Sequence, residues 1–265
     1  MNRRRFLARS LATSAAACLA GTAPLKAAAS TPSSPEFYQL RCYRLQSGPQ
    51  TRLTEAYLGD ALLPALTRLG MAPVGAFRLD IGPETPSFYV LIPGSSVETL
   101  VTVDLRLARD EEFMKAAAPF WSAPATAPAF VRVESSLLSA FPGWPRLTLP
   151  SAGRGKRIFQ LRTYESPSLA DHVRKVEMFH EGEFDIFKSA GLAPVFFGDT
   201  LIGPRLPSLT YMLTFASLGE LDAHWASFSS NPAWQKLSHA PRYSAEELVS
   251  SITNLILSPL AASQI

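Results

Sequence analysis

Two short phrases in this 265-residue chain carry side chains suited to gripping an oxygen-rich ligand. Residues 37–45 read FYQLRCYRL and residues 158–166 read IFQLRTYES. If both are strands, alternation puts Gln39, Arg41 and Tyr43 on one face of the first, and Gln160, Arg162 and Tyr164 on one face of the second. A guanidinium forks onto a carboxylate through parallel N–H donors, and neighbouring hydroxyls add further bonds. The polar faces therefore suit a small carboxylate-bearing ligand or an aromatic, oxygen-rich one. The same arginines could instead pair with acids and order an interface, because buried charges need partners. With the opposite faces (Phe159, Leu161, Thr163) turned to helices, the polar faces would look at each other across two sheets.

A second candidate lies in residues 176–187, VEMFHEGEFDIF. At 100° per residue, Leu169, Val173, Val176, Phe184 and Phe187 form an apolar stripe. His180 and Glu183 fall inside it, with Glu177 at its edge. Those three could form an acid/base pair or a partial metal site; the simpler reading is a boundary histidine bonded to a neighbouring carboxylate. No second cluster completes a metal shell. His172 stands about 12 Å from His180 along a helix, too far to share one ion. Cys42 reads as a small buried apolar residue, and Trp225, Phe228 and Trp234 read as core. The chain has no G-x-S-x-G, Walker, Rossmann-glycine, H-E-x-x-H or C-x-x-C pattern, which argues against the hydrolase and zinc chemistries that use them.

The elements that would position these residues occur twice. Gln39-Leu40-Arg41 matches Gln160-Leu161-Arg162 at an offset of 121. The same offset carries Gly70 to Gly191, Pro73-Val74 to Pro194-Val195, Ile81-Gly82-Pro83 to Ile202-Gly203-Pro204, and Pro86-Ser87 to Pro207-Ser208. Repetition at one spacing marks a tandem duplication, with repeats at 37–142 and 157–265 joined by a Pro- and Gly-rich linker, 143–156. In the second repeat a strand at Phe159–Tyr164 precedes a helix capped by Ser166 or Ser168 and stopped at Gly191. Two strand-like runs follow, PVFFGDTLIG and LTYMLTF. Then come a helix at 218–228, another opened by Asn231-Pro232, and a last strand, SSITNLILSP. The order β-α-β-β-α-β is the ferredoxin-like unit. Two of them predict an α+β chain with antiparallel sheets packed face to face and helices outside, an intrachain pseudo-dimer.

Residues 1–29 predict a cleaved export signal: Arg3-Arg4-Arg5, a short apolar run, then Ala27-Ala28-Ala29. The Arg3-Arg4 pair with Phe6 and Leu7 resembles a twin-arginine motif, which implies export to the periplasm. A lipoprotein reading through Cys18 is the alternative. Without the signal the chain keeps 20 basic and 22 acidic residues, which gives no reason to expect nucleic acid or an anionic membrane as a partner. Cys42 is then the only cysteine, so no internal disulfide can form.

The phrases LRTY, GLAPVFFGDTLIGP, LTYMLTF, HWASFSSNPAWQKL and ILSPLAASQI resemble the NIPSNAP family, most closely its twin-arginine-exported bacterial members with two such domains. The resemblance covers most of 37–265 and is strongest in the second repeat. The first repeat departs from it, with PFWSAPATAPAF in place of the N-P-x-W helix start. The resemblance implies the dimeric α/β barrel fold and almost no chemistry. Three readings follow: a binding protein with a small ligand between its sheets, an α/β-barrel enzyme of monooxygenase-like or haem-handling type with His180 as the axial ligand, or a ligand-free interaction scaffold.

Overall fold

The computed structural model describes residues 34–150, 157–243 and 245–265. The expected signal at 1–29 and linker residues 151–156 lie outside the described residues. Ser34–Ile265 forms one compact unit, and among the described residues no helix is long and apolar enough to cross a membrane.

Eight antiparallel strands close into a barrel: β1 (Phe37–Arg44), β2 (Gly75–Ile81), β3 (Ser87–Gly94), β4 (Arg132–Ala140), β5 (Ile158–Glu165), β6 (Ala193–Ile202), β7 (Ser208–Phe215) and β8 (Ser251–Pro259). Around the barrel the order is β1-β3-β2-β8-β5-β7-β6-β4, with β4 returning to β1. Each half thus has the same internal order. The halves join at two seams, where Leu79 of β2 faces Leu257 of β8 and Ser139 of β4 faces Asp199 of β6. The sheets expected to stack face to face are instead zipped edge to edge into one ring. Closure satisfies backbone groups that two separate sheets would leave at their edges.

One long helix follows the first strand of each half. Helix α1 runs through Pro49–Ala56, a π-helical turn at Tyr57–Leu62, and Leu63–Arg68. Short helices α2 (Val97–Val101) and α3 (Val103–Leu107) and the longer α4 (Glu111–Trp121) complete the first half. Helix α5 repeats the plan of α1 through Leu169–Met178, a π-turn at Phe179–Glu183, and Phe184–Ser189. Ser168 caps it by accepting from Asp171 N, and Gly191, at φ 80°, ends it. Then come α6 (Leu218–Ser229), α7 (Pro232–Ser238), capped by Asn231, and α8 (Ala245–Leu248).

The barrel interior is an apolar core built from both halves. Tyr38, Phe77, Leu91, Leu138, Phe159, Val195, Phe196, Met212 and Leu257 are all fully buried there. Side chains fill small eight-stranded barrels in this way. Cys42 is buried in this core. The inside-outside expectation is therefore reversed. Phe159 and Leu161 point into the barrel, while Gln160, Arg162 and Tyr164 lie under the helices, as do Arg41 and Tyr43. A strand covered on both sides carries no polarity signal that separates inside from outside.

Each half also sends a tail onto the other. After β4, Phe141 N donates to Phe197 O at 3.2 Å and Thr148 N to Val195 O at 2.8 Å. After β8, Leu260 N donates to Ala76 O and Gln264 N to Val74 O, both at 2.9 Å.

Candidate functional site

The repeated strand phrase builds two buried polar clusters between barrel and helices, and their wiring differs. In the first half Arg41 is 4% exposed and fully engaged. Its Nη1 bonds Asp104 Oδ1 at 3.0 Å, while Nε and Nη2 donate to Gln39 Oε1 at 3.1 and 2.9 Å. Tyr43 packs edge-on against Tyr57 and Phe120, and the Tyr57 hydroxyl accepts from Trp121 Nε1 at 3.3 Å. Here the arginine orders an interface, closed by an acid from α3.

At the offset of 121, Trp225 of α6 stands where Asp104 stands. The Arg162 guanidinium lies 4.4 Å from the Trp225 ring centroid and 5.3 Å from that of Tyr164. Its Nε is sealed from solvent and has no hydrogen-bond partner. Among the described residues no carboxylate comes within 4 Å of it. Gln160, 1% exposed, is held by Trp225 Nε1 at 2.7 Å and by Asn254 at 2.9 Å. The Tyr164 and Tyr211 hydroxyls share a 2.7 Å hydrogen bond, and burial pushes Tyr211 well above the usual phenol range.

Beside them lies a buried ion pair. Glu183 Oε2 and Lys175 Nζ are 2.7 Å apart, and each side chain is 2% exposed. Lys175 Nζ also sits 4.5 Å from the Phe179 ring centroid and 5.7 Å from that of Trp234. Burial pushes the Glu183 carboxyl upward, opposed by the Lys175 and Arg162 charges. The first half carries Thr54 and Leu62 at these positions, so the pair belongs to the second half alone.

The histidine cluster does not assemble. His180 is exposed, with Nδ1 donating to Val176 O at 2.8 Å and Nε2 accepting from Gly143 N at 3.0 Å. Both ring nitrogens are thus engaged, which counts against the haem-ligand reading. Its partners are backbone groups, so the expectation of a neighbouring carboxylate also fails. Glu177 reaches outward to Arg242 at 2.7 Å, and Glu183 turns inward. The π-turn, with Gly182 at φ 155°, breaks the 100° register on which the stripe was drawn. Leu169 and Val173 are accordingly exposed, while His172, Lys175 and Met178 are buried. Among the described residues no three His, Cys, Asp or Glu side chains converge to hold a metal ion. Lys175 and Tyr211 were not foreseen. Comparison at the offset would have flagged both, since Thr54 and Val90 stand opposite them.

The closed antiparallel barrel with its helices outside is an α+β fold, similar to that of dimeric α/β barrel proteins. Residues 159–264, the second half of the chain, match the family model for NIPSNAP. Among solved structures, a candidate monooxygenase from Lactobacillus acidophilus NCFM is 10% identical, with 85% of this chain and 94% of that one covered at a TM-score of 0.56. A second, from Fusobacterium nucleatum, is 6% identical over 86% and 93%, at 0.53. A NIPSNAP-like domain protein from Burkholderia xenovorans is 20% identical over 40% of this chain and 86% of that one, at 0.36. At these identities the first two likenesses concern fold alone. No curated protein matches the sequence.

Proposed function

We propose that this chain is a binding protein that holds a small carboxylate-bearing ligand at Arg162, under α6 of its second half. The observation that carries the reading is the missing counter-charge. Arg41 is closed by Asp104, whereas Arg162, in the equivalent place, is stacked on Trp225 with no acid within 4 Å among the described residues. A guanidinium so placed gains most from an incoming carboxylate. Glu183 is the acid whose charge bears on Arg162, but Lys175 holds it at 2.7 Å, so it is not free to act as a general base. Binding without turnover is the reading this wiring favours. The site lies outside the barrel, not between two sheets as the strand pattern suggested.

The chain is further proposed to be made of two ferredoxin-like units and exported to the periplasm. The repeated strand order supports the first, and the composition of residues 1–29 supports the second.

Benzoate serves as the probe, followed by saturation-transfer NMR on the purified chain. The expected result is a benzoate signal that Arg162→Gln abolishes. Trp225→Asp, which copies the first half's acid into the second, should abolish it too. Binding unchanged in both variants would overturn the site.

A further inference from the structure

The two tails repeat one another's geometry. Trp144 N donates to Phe141 O at 2.9 Å, and Ser263 N donates to Leu260 O at 2.9 Å. Phe141 and Leu260 bond to Phe197 and Ala76, which are themselves 121 residues apart. Each tail then meets the long helix of the half it crosses. In the second half the contact is Gly143 against His180; in the first it is Ala262 against Gly59, the offset counterpart of His180.

An imidazole fills this junction in the second half. Its Nε2 takes the Gly143 N–H, and its ring packs near Phe141 and Phe184, at centroid distances of 5.7 and 5.3 Å. In the first half, glycine offers no side chain. What remains is a cavity of about 430 Å³ lined by Arg52, Glu55, Gly59, Asp60, Leu260 and Ala262, among others. Among the described residues the Ala262 N–H, counterpart of the Gly143 N–H, has no protein acceptor.

We propose that this cavity binds a small planar nitrogen heterocycle of the imidazole class, whose unprotonated ring nitrogen accepts the Ala262 N–H. Two features shape the ligand. The carboxylates of Glu55 and Asp60 in the lining suit a ring N–H on the opposite edge. Ala262 also carries a methyl that Gly143 lacks, and a Cβ at 143 would lie 2.8 Å from His180 Cδ2. The ring must therefore sit farther out than the His180 ring does, which weakens its hold on the Ala262 N–H. The site is independent of Arg162, which stacks on Trp225 and touches none of the residues that line this cavity.

The test is a titration of the isotope-labelled chain with imidazole at fixed pH, read from backbone amide NMR shifts. The Ala262 amide should move and saturate. Gly59→His, which supplies the missing ring, should weaken that response at least about tenfold. Ala262→Gly, which deepens the seat, should strengthen it. If Gly59→His does not fold, Ala262→Leu closes the seat from the tail and serves the same comparison through the neighbouring Ala261 amide. An Ala262 amide that stays fixed, or shifts equally when the seat is filled, overturns the proposal.

Discussion

Lys175→Met leaves Glu183 without its partner inside a site where each is 2% exposed. Removing one member of a buried pair costs roughly 3–5 kcal/mol, because the other charge stays desolvated. For a folded unit of this size that corresponds to a fall in Tm of about 10 °C. The loss depends on pH with a defined sign. Burial already raises Glu183 in the folded state, and removing Lys175 takes away the strongest opposing influence. A carboxyl raised above its unfolded value favours the fold while protonated and penalises it as pH rises through the folded pKa. The variant should therefore approach wild-type stability in acid and fall away toward neutral pH. The double change Lys175→Met with Glu183→Leu leaves no charge behind, and Leu62 already occupies the second position in the first half. It should recover to within about 1 kcal/mol of the parent, since apolar replacement of a buried pair is often neutral. Urea unfolding of the three proteins across pH measures each term. A single variant as stable as the parent at neutral pH, or a double variant no better than the single, would refute the reasoning.

Two further outcomes follow from the packing. Gly143→Ala puts a Cβ 2.7 Å from Phe184 and 2.8 Å from His180, so it should cost about 1–3 kcal/mol in urea unfolding. Adding His180→Ala should restore part of that loss, and no restoration would place the strain elsewhere. Cys42, 7% exposed in the barrel core and with its thiol pushed up by burial, should react with a thiol reagent only as fast as the chain unfolds. Rapid labelling of the native protein would contradict the packed interior.

The strands and helices of the second half were legible because their signals are local. Ser168 and Asn231-Pro232 mark helix starts, Gly191 marks a stop, alternation marks β5, and β-rich runs mark β6 to β8. The direction in which the strands face was not legible. Gln160 and Leu161 are both buried, one under helices and one inside the ring, so polarity along the phrase could not say which side was which. The π-turns were invisible too, since a wider hydrogen-bond loop leaves no fixed residue signature. That turn decides the site. It separates His180 from Glu183 and brings Glu183 to Lys175, eight residues and about two α-helical turns away. The arginines were legible as candidates, but their difference was not, because it rests on Asp104 and Trp225 in helices remote from the phrase.

Ring closure also sets how this chain can recognise another protein. Along β1 and along residues 159–165 of β5 every residue is paired on both sides, so a visiting peptide finds no row of free amides and carbonyls on these two strands. Recognition through main-chain pairing, tolerant of sequence, is left to the ends of β4 and β8 that run past their seams, at 132–136 and 251–255. Everywhere else partners are read by side chains on the helices, the hairpin tips or the tails, where single residues decide the outcome. The two halves already differ there, with Asp104 in one helix layer and Trp225 in the other, so one frame presents two different faces.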